Sequence, residues 1–342
     1  MRGLSGRLAG TFSSGWPSWR SVHGGAAPNF TIRLAASLEK EALELNLPAD
    51  PATIIADARK TSQRQGVSAF PQVREALEQS LIILVYGSNM IETAGSNLRI
   101  TFKLCRAIFR GELVEEIINE RDPEYKKGDH TGVTRSRKEV IQHAKALSFI
   151  IDHVILDNEP ISEALILETH HISYSGMGDD DEVTPGKYRE HEVAVSYSKP
   201  GETKRKVSRC IRASAVPKYM KDLVGSLNQE INEAERTGNM DPYTLAARFH
   251  HQFVMVHPFG DGNGRMSRII MNVLLLEYAG HVTLFGSEET EKDDYLDIVG
   301  RGRKVFEKED MEFARFVLAK SRSGLEQMLT WARREGNDHV SE

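Results

Sequence analysis

Cysteine is nearly missing from this 342-residue chain: only Cys105 and Cys210 occur, far apart in sequence. That excludes a disulfide-stapled scaffold and a cysteine-based zinc site, and it fits reduced thiols in a reducing compartment. Long apolar runs are missing as well. The most apolar stretches, Leu81–Tyr86 and Val273–Leu276, fall well short of the roughly 18 residues that suggest a membrane span, so no membrane is expected as a partner. There is no basic excess either. Lys and Arg number 44 against 49 Asp and Glu, a formal net charge of −5. This argues against general nucleic-acid binding, which needs a positive surface. Finally, the phosphate loop Gly-x-x-x-x-Gly-Lys-Ser/Thr does not occur. What remains, 40% hydrophobic and 27% charged residues, is an ordinary globular composition with room for one large domain or two modest ones.

The N-terminus differs from the rest. Residues 1–38 carry Arg2, Arg7, Arg20 and Arg33, many Ser, Gly and Ala, and no acidic residue before Glu39. Such a segment resembles a mitochondrial transit peptide, and the plainer reading is a disordered tail. Without such targeting, the chain is expected in the cytoplasm.

From Leu38 onward the pattern is helical. Glu39–Asn46 and Pro51–Gln63 read as short amphipathic helices. Pro71 opens a longer one, Val73–Tyr86, with Val73, Leu77, Leu81 and Leu84 on one face. Helices are also expected at Leu98–Arg110, Val114–Asn119, Ser136–Leu156, Glu163–Tyr174, Pro217–Ala234, Tyr243–Val256, Met266–Tyr278 and Asp310–Arg333. Gly176–Asp181 reads as a loop. Between Gly186 and Val207 the residues Val193, Val195 and Tyr197 alternate, and a turn follows at Lys199–Gly201. That predicts a β-hairpin. The expected fold is all-α with a small β-hairpin flap.

The chemistry concentrates in His257-Pro258-Phe259-Gly260-Asp261-Gly262-Asn263-Gly264-Arg265-Met266-Ser267-Arg268, between two helices. Three glycines permit positive φ and close backbone approach, as a loop wrapped around an anion requires. The following helix aims its first N–H groups at the same place. Arg265 and Arg268 sit in its first turns, against the dipole preference, which suits a polyphosphate facing them. His257 can act as a general base near neutral pH. Asp261 can hold Mg²⁺ through oxygen. Together these residue types describe a Mg²⁺-nucleotide site with a histidine base.

The same stretch resembles, without a gap, the Fic motif His-x-Phe-x-(Asp/Glu)-Gly-Asn-Gly-Arg-x-x-Arg. The resemblance covers roughly residues 68–330. Thr184-Pro185-Gly186-Lys187-Tyr188-Arg189 and Val193-Ala194-Val195 look like the segment leading into the family's flap. There a target protein pairs its backbone with the flap edge, by β-augmentation, near residues 186–207. Ser88-Asn89-Met90-Ile91-Glu92 resembles the inhibitory motif Ser/Thr-x-x-x-Glu-Gly/Asn, departing from it at Thr93.

The resemblance implies a protein adenylyltransferase that moves AMP from ATP to a Ser, Thr or Tyr hydroxyl. His257 would be catalytic and Asp261 the Mg²⁺ ligand. Gly262, Asn263, Gly264, Arg265 and Arg268 would hold ATP, with Val193, Ala194, Val195 and Ser196 of the flap beside it and Tyr295 near the adenine. Gly302 stands where several members have an asparagine. Ser88 and Glu92 would be inhibitory, with Glu92 paired to Arg268. The implied organisation is an N-terminal extension over 1–65, an inhibitory-helix region over 66–120 and a catalytic domain over 121–335. A homodimer is one implied assembly. The same residues also serve removal of AMP, transfer of another phosphate-containing group, or nucleotide binding without transfer.

Overall fold

The computed structural model describes residues 3–4, 7–8, 31–32, 34, 38, 70–114, 130–177, 183–197, 206–302 and 312–322. The helices expected at Glu39–Asn46, Pro51–Gln63 and Val114–Asn119 lie outside this set, apart from Val114, as do the turn at Lys199–Gly201, most of the loop Gly176–Asp181 and the helix beyond residue 322. A two-residue strand, Thr31–Ile32 (β1), precedes helix Phe70–Ile91 (α1). Helices Leu98–Arg110 (α2), His130–Ile151 (α3) and Glu163–Tyr174 (α4) follow. A π-helical turn, Asp152–Leu156, continues α3. The predicted hairpin is present, with Ala194–Tyr197 (β2) antiparallel to Lys206–Arg209 (β3). Next come Val216–Thr237 (α5), Asn239–Met240 (β4), Pro242–Val256 (α6), Asn263–Tyr278 (α7) and Glu289–Gly302 (α8). Residues 312–322 are helical. Strand β1 pairs in parallel with β4. The fold is therefore helical with a small flap, as its periodicity indicates.

Local chemistry sets the element ends. Asn97 and Ser162 cap α2 and α4, accepting from Ile100 N–H and Leu165 N–H. Asp241 caps α6 by accepting from the N–H groups of Tyr243 and Thr244, with Pro242 in the first turn. Helix α1 runs five residues further than its pattern suggests. Gly87 does not end it, because α1 there lies against the backbone of Phe285, where an added Cβ would come within 2.2 Å of the carbonyl oxygen. Ser88 therefore rides on the helix and Glu92 follows its last residue.

Helix α7 is buried on nearly all sides, from Met266 to Leu276, which marks it as the centre of the domain. It packs on α6, and one continuous apolar core joins α1, α3, α6 and α7. The loop between α6 and α7 is thus held at both ends by the most buried helices. No helix among the described residues is long and apolar enough to cross a membrane.

Candidate active site

Helix α6 ends at Val256, and His257 takes the left-handed conformation, φ 51° and ψ 61°, while its N–H closes on the Phe253 carbonyl at 2.9 Å. A non-glycine residue in this region is uncommon and is held there by its surroundings. His257 Nδ1 lies 3.4 Å from the Val254 carbonyl. With the proton on Nδ1, the acceptor lone pair falls on Nε2, as a general base requires. Phe259 anchors the loop in the core. It is fully buried and stacks on the His170 ring with centroids 3.7 Å apart and planes 3° from parallel. Asn263 bridges the loop twice, accepting from Phe259 N–H and donating to the Phe259 carbonyl, each at 2.9 Å. Gly262 has φ +79°, and a Cβ there would lie 2.4 Å from the Tyr174 ring. No side chain caps the N-terminus of α7, so its first turn faces the site as an anion-binding end.

The two arginines leave this turn in different directions. Arg268 is 1% exposed. Its Nη2 donates to Glu92 Oε1 at 2.6 Å and to the Ser88 carbonyl at 3.0 Å. Nε donates to Ser88 Oγ at 2.9 Å and Nη1 to the Tyr295 hydroxyl at 3.2 Å. The Glu92 side chain keeps 35% exposure, so the pair stands at the mouth of a buried pocket. Gly264 makes room for it, since a Cβ there would sit 2.3 Å from Glu92 Oε1. Arg265 donates to the Tyr174 hydroxyl, and its Nη2 is 3.8 Å from Asp261 Oδ2. Asp261 itself is 64% exposed at the side chain and accepts from Gly262 N–H at 2.6 Å.

The flap is tied to the loop through Arg189 and Gly186, both in the segment that resembles the lead into the family's flap, and through His170, which lies in no motif. Arg189 N–H donates to the Pro258 carbonyl at 2.9 Å. Its side chain reaches the carbonyls of His257, His191 and Ile211. Gly186 N–H donates to His170 Nδ1 at 3.0 Å, so the proton sits on Nε2, which donates to the Asp261 carbonyl at 3.2 Å. Burial pushes the pKa of His170 down to about 4, and the ring stays a neutral strut. On the other side, His143 donates from Nδ1 to Asn89 Oδ1 at 2.9 Å, fixing the end of α1. Burial, aided by Arg265 and Arg268, holds its pKa well below the ordinary value.

Four expectations change. Tyr295 does not offer a face to adenine. It is 2% exposed within a cluster of Phe285, Phe313 and Phe316, and its hydroxyl accepts from Arg268 and bonds His250 Nε2 at 2.9 Å. The Asn263 amide is committed to the loop backbone rather than turned toward phosphate. The Gly262 N–H is taken by Asp261. Of the three loop glycines only Gly262 has positive φ, and His257 supplies the second left-handed position. By contrast His257, Asp261, Arg265 and Arg268 share one site, with Ser88 and Glu92 at its edge. In the flap, the Val193 carbonyl accepts from Cys210 N–H at 3.1 Å and Ala194–Tyr197 form β2.

A family model described as Fic/DOC family matches residues 160–275. A Fido domain-containing protein of Dictyostelium discoideum is 30% identical over 126 residues, covering 37% of this chain and 77% of that one. The chain belongs to the Fic family. The protein adenylyltransferase fic-1 of Caenorhabditis elegans is 30% identical over 165 residues, 48% of this chain and 29% of its own length. The chain thus spans under a third of that curated Fic relative. Among solved Fic structures, a Fic domain containing signaling protein from Bacteroides thetaiotaomicron aligns with TM-score 0.60 at 19% identity, over 80% of this chain and 93% of its own. Fic-1 (aa134–508) from C. elegans aligns with TM-score 0.55 at 21% identity, over 86% and 73%. These two likenesses establish a shared Fic fold.

Proposed function

We propose that this chain is a protein adenylyltransferase held in a resting state by Glu92. The observation that carries the reading is the Arg268–Glu92 pair, 2.6 Å long, seated inside an intact His257–Arg268 loop. ATP would lie along Asp261–Arg268, with its phosphates toward the N-terminus of α7 and the two arginines. Asp261 is the only acidic side chain of the loop, and its exposed carboxylate would hold a Mg²⁺ ion. That ion would supply neutralisation of phosphate charge. A Ser, Thr or Tyr hydroxyl of a target protein, docked on the flap edge near 186–207, would be brought to His257. As its oxygen bonds to the α-phosphorus, its proton passes to His257, and the bond to pyrophosphate breaks. Positioning and charge stabilisation do most of the work. Glu92 occupies the guanidinium that would otherwise meet the outer phosphate, a charge-assisted contact a phosphate can replace.

The test uses α-labelled ATP. The unaltered chain should label itself weakly and Glu92→Gly strongly. Adding His257→Ala should lower labelling about 10²–10⁴-fold, the usual contribution of a positioned base. Undiminished labelling by the double variant would sink the assignment. The exposure of the Glu92 carboxylate beside the loop also supports the reverse reaction, in which that residue orients water. Release of AMP from a modified protein by the unaltered chain would identify that direction. Tight ATP binding by Glu92→Gly with no turnover would instead indicate a nucleotide-binding regulator.

A further inference from the structure

We propose that Arg189 is a positioning residue for the transfer step, tying both legs of the flap to the helix end that carries His257. This inference rests on His257 being the general base. Arg189 is 5% exposed, and its side-chain hydrogen bonds run to backbone carbonyls. Nε donates to His257 at 2.7 Å, Nη1 to His191 at 2.8 Å, and Nη2 to Ile211 and, at 3.4 Å, to Val256.

The geometry of these acceptors gives the residue its role. Val256 and His257 close α6. The last carbonyls of a helix lack internal donors and carry the negative end of its dipole, so a cation there is favoured. His191 precedes β2 and Ile211 follows β3, so the other two acceptors lie on the two legs of the hairpin. One planar fork therefore joins three separate strands of backbone. Only arginine carries enough donors in fixed directions to do this, and a lysine ammonium spans fewer. The carbonyl it grips belongs to the residue in the left-handed conformation. The same side chain thus holds the base at one end and the docking edge for the acceptor at the other. His170 makes a second link, from Gly186 to Asp261, but it does not touch the His257 backbone.

The experiment compares Arg189→Ala and Arg189→Lys with their parent in the full chain carrying Glu92→Gly. Two readouts are taken: the ATP dependence of self-labelling, and amide exchange over the flap and loop. Misplacing reacting groups by an ångström costs about 10²-fold, so Arg189→Ala should lower kcat by about that factor while KM for ATP stays within about threefold. Arg189→Lys should recover part of the loss. Exchange should rise about tenfold or more at the paired amides of β2 and β3 and at His257, with the interior of α7 unchanged. Unchanged kcat with unchanged exchange overturns the proposal. A rise in KM that accounts for the whole loss also overturns it, because that would mean a damaged nucleotide site. If Arg189→Ala fails to fold, Arg189→Lys carries the comparison. If the parent labels nothing, the transfer reading fails, and the exchange result alone decides whether Arg189 clamps flap to loop.

Discussion

Arg268 donates through all three of its nitrogens, to Ser88, Glu92 and Tyr295. Burial opposes its charge, but Tyr295 and Glu92 outweigh that effect and keep its pKa above the ordinary value. Of these partners only Glu92 supplies a full opposite charge, so its loss leaves a desolvated cation open to phosphate. Tyr295 passes the constraint on, accepting from Arg268 and donating to His250 Nε2. Burial, followed by the charge of Arg268, holds the pKa of His250 well below its usual value, which keeps that nitrogen an acceptor. Tyr295→Phe should preserve the aromatic packing and remove two buried bonds, lowering stability by about 1–3 kcal/mol. The preference for ATP over GTP should stay the same, because the ring is enclosed by other aromatics. Thermal melting and competitive labelling with the two nucleotides check this. A change in base preference would restore an adenine role for Tyr295.

Helix α1 carries Ser88 and leads into Glu92, the proposed brake, and a charged contact fastens it to α2. Glu78 is fully buried, accepting from Arg106 Nε at 2.9 Å and from Arg110 Nε at 3.0 Å and Nη2 at 2.9 Å. Both arginines stay about one-third exposed and also meet Glu75. Truncating Glu78 therefore lets them turn back to water, and the loss should fall below that of a wholly buried pair. Glu78→Ala should cost about 1–3 kcal/mol and raise basal labelling above the unaltered chain but below Glu92→Gly. A lower melting temperature with unchanged labelling would show that the far end of α1 does not govern the brake. Much of this element was legible beforehand, since Leu77, Leu81 and Leu84 form its buried stripe as their spacing indicates. The loop was legible for a different reason: its chemistry lies in twelve consecutive residues. The Glu92–Arg268 pair spans 176 positions and was reached only through a family resemblance. His170 and Tyr174 carry no sequence signal because each is one polar residue in an ordinary helical pattern, and Arg189 reads only as part of the segment leading into the flap. Their roles arise only when α4, the flap and the loop meet. Tyr295, which the resemblance puts near the adenine, is instead enclosed by Phe285, Phe313 and Phe316.

At the scale of the whole molecule, His143, His170, His250 and His281 are all buried and neutral. Burial pulls His170 and His281 down to about 4 and the other two well below the ordinary value. In the unfolded chain each takes a proton near pH 6.5. Their folded pKa values are depressed, so the stability they contribute is complete above about pH 6.5 and is lost as pH falls toward 4. Each adds about 1.4 kcal/mol per pH unit inside that window. Two acids act the other way. Burial, with Glu235, pushes Glu277 up to about 8, and burial raises Asp152 against the pull of Arg7. Their contribution is fully present at low pH and fades as pH rises, which in the case of Glu277 continues to about pH 8. The four histidines outweigh the two acids below pH 6.5, and above it Glu277 is left to act. Stability should therefore peak near pH 6.5, fall steeply on the acid side and fall gently on the alkaline side. Melting temperatures between pH 5 and 8.5 measure this. His281 lies away from the active loop, bonded to Tyr243 at 3.0 Å, so His281→Gln isolates one histidine without touching the chemistry. That variant should shed about one proton's worth of the acid-side slope, about 1.4 kcal/mol per pH unit. A melting temperature that stays level from pH 7 to pH 5 would mean that these rings take up protons without unfolding the chain.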